Sequence, residues 1–139
     1  MSTDLWPDDI GDSKLKSPLA ILREQGEHLQ TKTGGLVRAE VETRTISDEM
    51  FHNHFELVVP ALEGYRYELL QVRHGVSFYP LDVLPRAGHN LSNYMELEDE
   101  ARFAKALRSL FGSIEVRRLI HSLVAQARAQ RPATAPPPE

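Results

Sequence analysis

Residues 36–83 read LVRAEVETRTISDEMFHNHFELVVPALEGYRYELLQVRHGVSFYPLDV, and the period of this stretch decides the fold class. Val37, Ala39, Val41, Thr43 and Thr45 alternate with Arg38, Glu40, Glu42 and Arg44, the pattern of a strand with one buried and one wet face. A second alternation sets Phe51, Asn53, Phe55, Leu57 and Val59 against His52, His54, Glu56 and Val58. Leu62-Glu63-Gly64-Tyr65 is a turn signal, after which Tyr65 to Arg73 reads as a third strand and Val76 to Val83 as a fourth. Connections this short join antiparallel neighbours. Pro80 inside the fourth run places it at a sheet edge, where a missing amide donor is tolerated.

On either side of this meander the period returns to that of a helix. Ser17-Pro18 is a hydroxyl N-cap with proline at the first helical position, and Gly34-Gly35 closes the helix. Leu19, Leu22, Gly26, Leu29 and Thr33 form its apolar stripe. Gly26 costs about 1 kcal/mol of helix propensity against alanine, so its place in the stripe implies close packing on the sheet. After an aperiodic stretch, 85–97, read as a surface loop, acidic Glu98 to Glu100 open a helix to Phe111. Gly112-Ser113 breaks and re-caps the chain before a last helix from Ile114 to Gln130. The expected fold is α+β: an N-terminal helix, a four-stranded antiparallel meander and two C-terminal helices, all packed on one sheet face. Residues 17–131 form this single domain, between an acidic leader, 1–16, expected to be flexible, and a proline-rich tail, 132–139, expected to be disordered.

The chain has 139 residues, 41% of them hydrophobic and 26% charged, which is the composition of a globular domain. Without cysteine it has no disulfide, thiolate metal site or cysteine nucleophile. The leader lacks the basic start and apolar run of a signal peptide and no stretch is long enough to span a membrane, so a cytoplasmic location without membrane contact is expected. Charge is unevenly spread. Residues 1–100 hold 9 Lys and Arg against 18 Asp and Glu, whereas residues 101–131 hold 7 against 1. Contact of these basic helices with the acidic remainder of the same chain, or of a second copy, is the simplest consequence.

Several side chains have the chemistry of a site. His52, His54 and Glu56 share a strand face, and two imidazoles with a carboxylate can ligate a transition metal. His52-Asn53-His54 also spells the letters of a nuclease signature, but that signature needs a helix after its hairpin. If Leu62 pairs with Tyr65, Arg73 falls opposite His54 and Gln71 opposite Glu56, and an arginine there disfavours a cation. The same register gathers His52, His54, Val58, Tyr67, Leu69 and Arg73 on one mixed face suited to a partner. Arg117, His121 and Arg128 fall in one stripe of the last helix and could contact an anion, although no aromatic residue is interleaved there for base stacking.

These observations point first to a non-catalytic protein-interaction module without a cofactor, a homodimer or a subunit of an assembly, working through the mixed sheet face. Two other readings compete with it: a small hydrolase-like or metal-dependent enzyme using His52, His54 and His89, and nucleic-acid contact through the basic C-terminal helices.

Overall fold

A computed structural model describes residues 2–45, 48–86 and 94–130 of the chain. The first helix, α1 (Pro18–Lys32), begins where the sequence places it: Ser17 Oγ accepts the Ala20 amide at 3.0 Å, and Pro18 occupies the position where no donor is needed. Five strands follow, β1 (Arg38–Thr45), β2 (Phe51–Val59), β3 (Tyr65–His74), β4 (Leu81–Pro85) and β5 (Met95–Leu97), pairing in chain order as one antiparallel sheet. Helices α2 (Glu100–Phe111) and α3 (Ile114–Gln130) complete the domain. Asp99 caps α2 by accepting the Arg102 amide at 2.8 Å, and Ser113 caps α3 through the Val116 amide at 3.2 Å.

The expected α+β arrangement holds, with two corrections. Residues 85–97 are not wholly loop, because Met95 to Leu97 pair with Leu81 to Val83 as a fifth strand. Three residues are too few to give a legible alternation. The fourth strand also starts later than its apolar run: it begins at Leu81, so Pro80 stands just outside it. With β3 on one side and β5 on the other, β4 is an interior strand. Proline is tolerated only at its ends: Pro80 precedes the strand, and Pro85, its last residue, lies beyond the three positions that pair with β5.

Each strand presents one face to the helices. Ile21 and Leu22 of α1, Phe103 and Leu107 of α2, and Val116, Leu123 and Ala127 of α3 close on sheet residues that include Phe55, Leu57, Leu70, Val72 and Val83. Gly26 supplies the close approach that its position implies: a Cβ there would lie 3.0 Å from the Ala39 side chain of β1. Asn53, fully buried on the same face, accepts the Thr43 hydroxyl at 2.7 Å and donates to the Val72 carbonyl at 3.4 Å. Its burial therefore leaves neither amide atom without a partner.

The turn between β2 and β3 sets the register. A two-residue hairpin would pair Leu62 with Tyr65, but Pro60–Leu62 curl into a short 3-10 turn. Glu63 and Gly64 then take left-handed backbone, φ 59° and 75°. The connection thus takes five residues, and Val59 pairs with Tyr65. A bulge between Phe55 and Glu56 inserts Leu69 as an extra residue of β3, so Phe55 faces Leu70 while Glu56 faces Glu68. Beyond it, Arg73 lies opposite His52 and Gln71 opposite His54, not His54 and Glu56 as the short hairpin implies. Leu69 and Leu70 are both fully buried in the core, and Tyr67, opposite Leu57, packs against the same core. Tyr67 and Leu69 therefore leave the expected interaction face.

Two stability measurements check this packing. Gly26→Leu gains about 1 kcal/mol of helix propensity but must displace β1, for an expected net loss of about 1–2 kcal/mol in denaturant unfolding. An unchanged midpoint would mean that the helix and strand are not in contact there. Leu69→Ser should cost about 3–5 kcal/mol, the range for emptying a buried leucine site and placing a hydroxyl in it. Native stability in that variant would return Leu69 to the surface.

Candidate functional site

The sheet face turned away from the helices carries most of the polar residues of the strands. Arg66 of β3 reaches across two strands, donating to Glu56 and to Glu40 at 2.8 Å each. Glu68 accepts His54 Nδ1 at 2.9 Å and the Gln71 amide at 2.8 Å, with Arg86 3.5 Å away. Arg73 pairs with Asp82 at 3.4 Å and lies over the Tyr94 ring, 6.0 Å from its centre. His52 lies 3.1 Å from Asp48. Burial pushes the Glu68 carboxyl up, but the hydrogen bonds from Gln71 and His54 and the charges of His54 and Arg86 outweigh it, holding the group below its usual range.

This network answers the metal reading. His52, His54 and Glu56 share a face as the alternation implies, yet they do not converge: Asp48, Glu68 and Arg66 respectively engage them. Among the described residues no three His, Asp or Glu side chains are gathered as a metal would need. His52-Asn53-His54 lies wholly within β2, followed by a 3-10 turn and β3 in place of a helix. His54 and Glu68 form a histidine–carboxylate pair, but among the described residues no serine or threonine hydroxyl is hydrogen-bonded to it as a nucleophile. His89 lies outside the described residues. Val58, the apolar member of the expected surface, is buried within its own sheet face.

A different site lies on the helix side. Between α1 and the α2–α3 pair the helices leave a cavity of about 480 Å³, within the roughly 300–1,000 Å³ usual for ligand clefts. Phe55 and Leu69 form its floor, and Ile21, Leu29, Leu107 and Ile120 stand among its walls. The polar groups on its lining are Gln25, His28, Lys32, Arg108 and Arg117, and no carboxylate is among them. Elements far apart in sequence build it: the β3 bulge turns Leu69 into the floor, α1 contributes its Ile21–Lys32 stripe, and the Gly112 break brings the start of α3 beside the end of α2.

The charges at the mouth are not spent on the protein itself. Lys32, Arg108 and Arg117 make no ion pair among the described residues. Among those residues the basic helices make one ion pair with a carboxylate, Arg102 with Asp99 at the α2 cap, 3.2 Å. Among the described residues the basic helices therefore pack on the sheet without pairing their cations with its carboxylates. Lys32 and Arg108 stand in last turns, where a cation offsets the helix dipole. Arg117 has no such reason, because it sits in the first turn of α3, at the positive end. Of the three residues expected to contact an anion, Arg117 lines the cavity, while His121 and Arg128 are exposed on α3 and are not among its lining residues. Sequence reading missed Lys32 and Arg108, since only the fold brings them together with Arg117; the absence of carboxylates among residues 101–114 was the available signal.

No family model, no curated protein and no solved structure matches this chain. No helix among the described residues is long and apolar enough to cross a membrane.

The Glu68 network carries a pH prediction. A carboxyl held below its ordinary value of 4.5 contributes stability that is fully present above that value and is lost as pH falls through the folded value. Glu68→Gln should cost about 1–3 kcal/mol at neutral pH, and the gap from the native chain should close in the acid limb of a stability–pH curve measured by denaturant unfolding. A gap that stays constant into acid would show that the carboxylate charge is not what holds the network.

Proposed function

We propose that this chain is a non-catalytic protein-association module, and that its recognition surface is the groove between α1 and the α2–α3 pair. The observation that carries this reading is the pairing of an apolar floor with a mouth whose Lys32, Arg108 and Arg117 have no ion-pair partner among the described residues. The partly exposed Leu29, Phe111 and Ile120 above that floor reward aliphatic or aromatic side chains that cover them, and an unpaired cationic rim rewards carboxylates beside them. The fitting occupant is an acidic peptide segment bearing large apolar residues, the helix-side counterpart of groove recognition in other small domains.

The sheet edges favour this surface over strand addition. β5 is only three residues long, and β1 carries Arg38, Glu40, Glu42 and Arg44 along its length, both devices that discourage another strand from pairing. Nucleic acid is less suited to the groove, since Phe55 and Phe111 are packed on one another, ring centres 5.8 Å apart, instead of standing free to stack on bases.

A fluorescent peptide of alternating glutamate and leucine tests the reading by anisotropy. Saturable binding that weakens with salt is expected, with a loss of at least about tenfold, or about 1.4 kcal/mol, in the double variant Arg108→Glu/Arg117→Glu. Equal binding to the native chain and the double variant, or none to either, would remove the groove as the recognition surface.

A further inference from the structure

The segment 2–16 has the composition that the groove calls for. Asp4, Asp8, Asp9 and Asp12 precede its first cation, Lys14, and are interspersed with Leu5, Trp6 and Ile10. These apolar side chains, with Leu15, are 62–88% exposed, the largest apolar residues of the leader left in solvent. The segment has local order of its own: Asp4 accepts the Trp6 amide at 3.0 Å, and a turn closes from the Ile10 amide to the Pro7 carbonyl at 3.2 Å. Its exit is fixed by Lys16, which pairs with Glu24 of α1 at 2.7 Å.

Resting on the groove reading above, we infer that the occupant of the groove is the leader of a second copy of this chain. Leu5, Trp6 and Ile10 cover the partly exposed Leu29, Phe111 and Ile120 of the groove, and the leader's aspartates face Lys32, Arg108 and Arg117. Trp6 lies eleven positions before Ser17, a reach of up to about 36 Å, against about 22 Å for the length of α1. The leader is thus long enough to fold back on its own groove, yet in the single chain its apolar residues stay in solvent. An isologous pair satisfies both copies, since each gives a leader and receives one. Once the first leader docks, the second docks within the same complex, at a high effective concentration.

Trp6 is the sole tryptophan of the chain and reports on this step directly. In the 139-residue chain its emission should be blue-shifted at high concentration and move to the red on dilution, in step with a dimer-to-monomer change in sedimentation velocity. Leu5→Ser/Ile10→Ser and Arg108→Glu/Arg117→Glu should each weaken the dimer at least tenfold with unchanged circular dichroism. Mixing Arg108→Glu/Arg117→Glu chains with Asp8→Lys/Asp9→Lys chains should restore association that neither shows alone. Emission of an exposed tryptophan at every concentration would overturn the inference, as would a blue shift that dilution does not change, the mark of a leader docked on its own chain. If the glutamate–leucine peptide still binds in either case, only the leader is wrong; if that peptide also fails, the groove reading falls with it.

Discussion

One inserted residue governs what each side of this sheet can do. In a regular β2–β3 ladder Leu69 and Leu70 would point to opposite faces; with the bulge beside Phe55 and Glu56, both go into the core. The outer face is then left with Arg66, Glu68, Gln71 and Arg73 along β3, all polar, and the inner face gains a second leucine. That leucine, with Phe55, is the floor over which α1 and α2–α3 stand apart. The same insertion therefore removes the apolar patch from the open face and supplies apolar surface under the helices.

The formal charge of −4 hides a division that the fold does not cancel. Strand residues of both signs meet on the outer face, where Arg66, Arg73 and Arg86 each have a carboxylate within ion-pair distance. The cations of α2 and α3 meet no comparable partner beyond Asp99 among the described residues. Exposed ion pairs contribute little to stability, about 0–1 kcal/mol each, so leaving cations unpaired costs the domain little. It also keeps their charge available to something that approaches from outside.

Much of the fold was legible because local chemistry and periodicity agree. The bounds of β2 and α3, the Ser17-Pro18 start of α1 and the close approach at Gly26 follow from residues within a few positions of one another. Register did not follow, because it depends on how many residues the Pro60–Gly64 turn consumes and on one bulge, neither of which alters the alternation of apolar residues. The consequence was specific: Tyr67 and Leu69 read as surface residues, and Arg73 moved two positions from His54 to His52. The groove was harder still. Ile21, Lys32, Leu69, Arg108 and Arg117 belong to four elements, so no window of sequence contains the site, although Arg117 alone could be singled out as a cation beside an apolar stripe.

The comparison between the two sides of the sheet also explains why residue chemistry alone misdirects here. The outer face holds the groups that attract attention, and His52, His54, Glu56, Arg66 and Arg73 are each engaged by a neighbour already in place. A ligand arriving there must displace a formed hydrogen bond for each one it makes, and the net gain of such an exchange is small. The groove holds less conspicuous side chains, yet apolar surface and unpaired cations are the two things that a ligand improves by binding. Covering the groove removes water from the partly exposed Leu29, Phe111 and Ile120, and a carboxylate near Arg117 supplies the ion-pair partner that it lacks among the described residues. Where a small domain binds is decided less by which reactive residues it carries than by which of them its own fold has left without a partner.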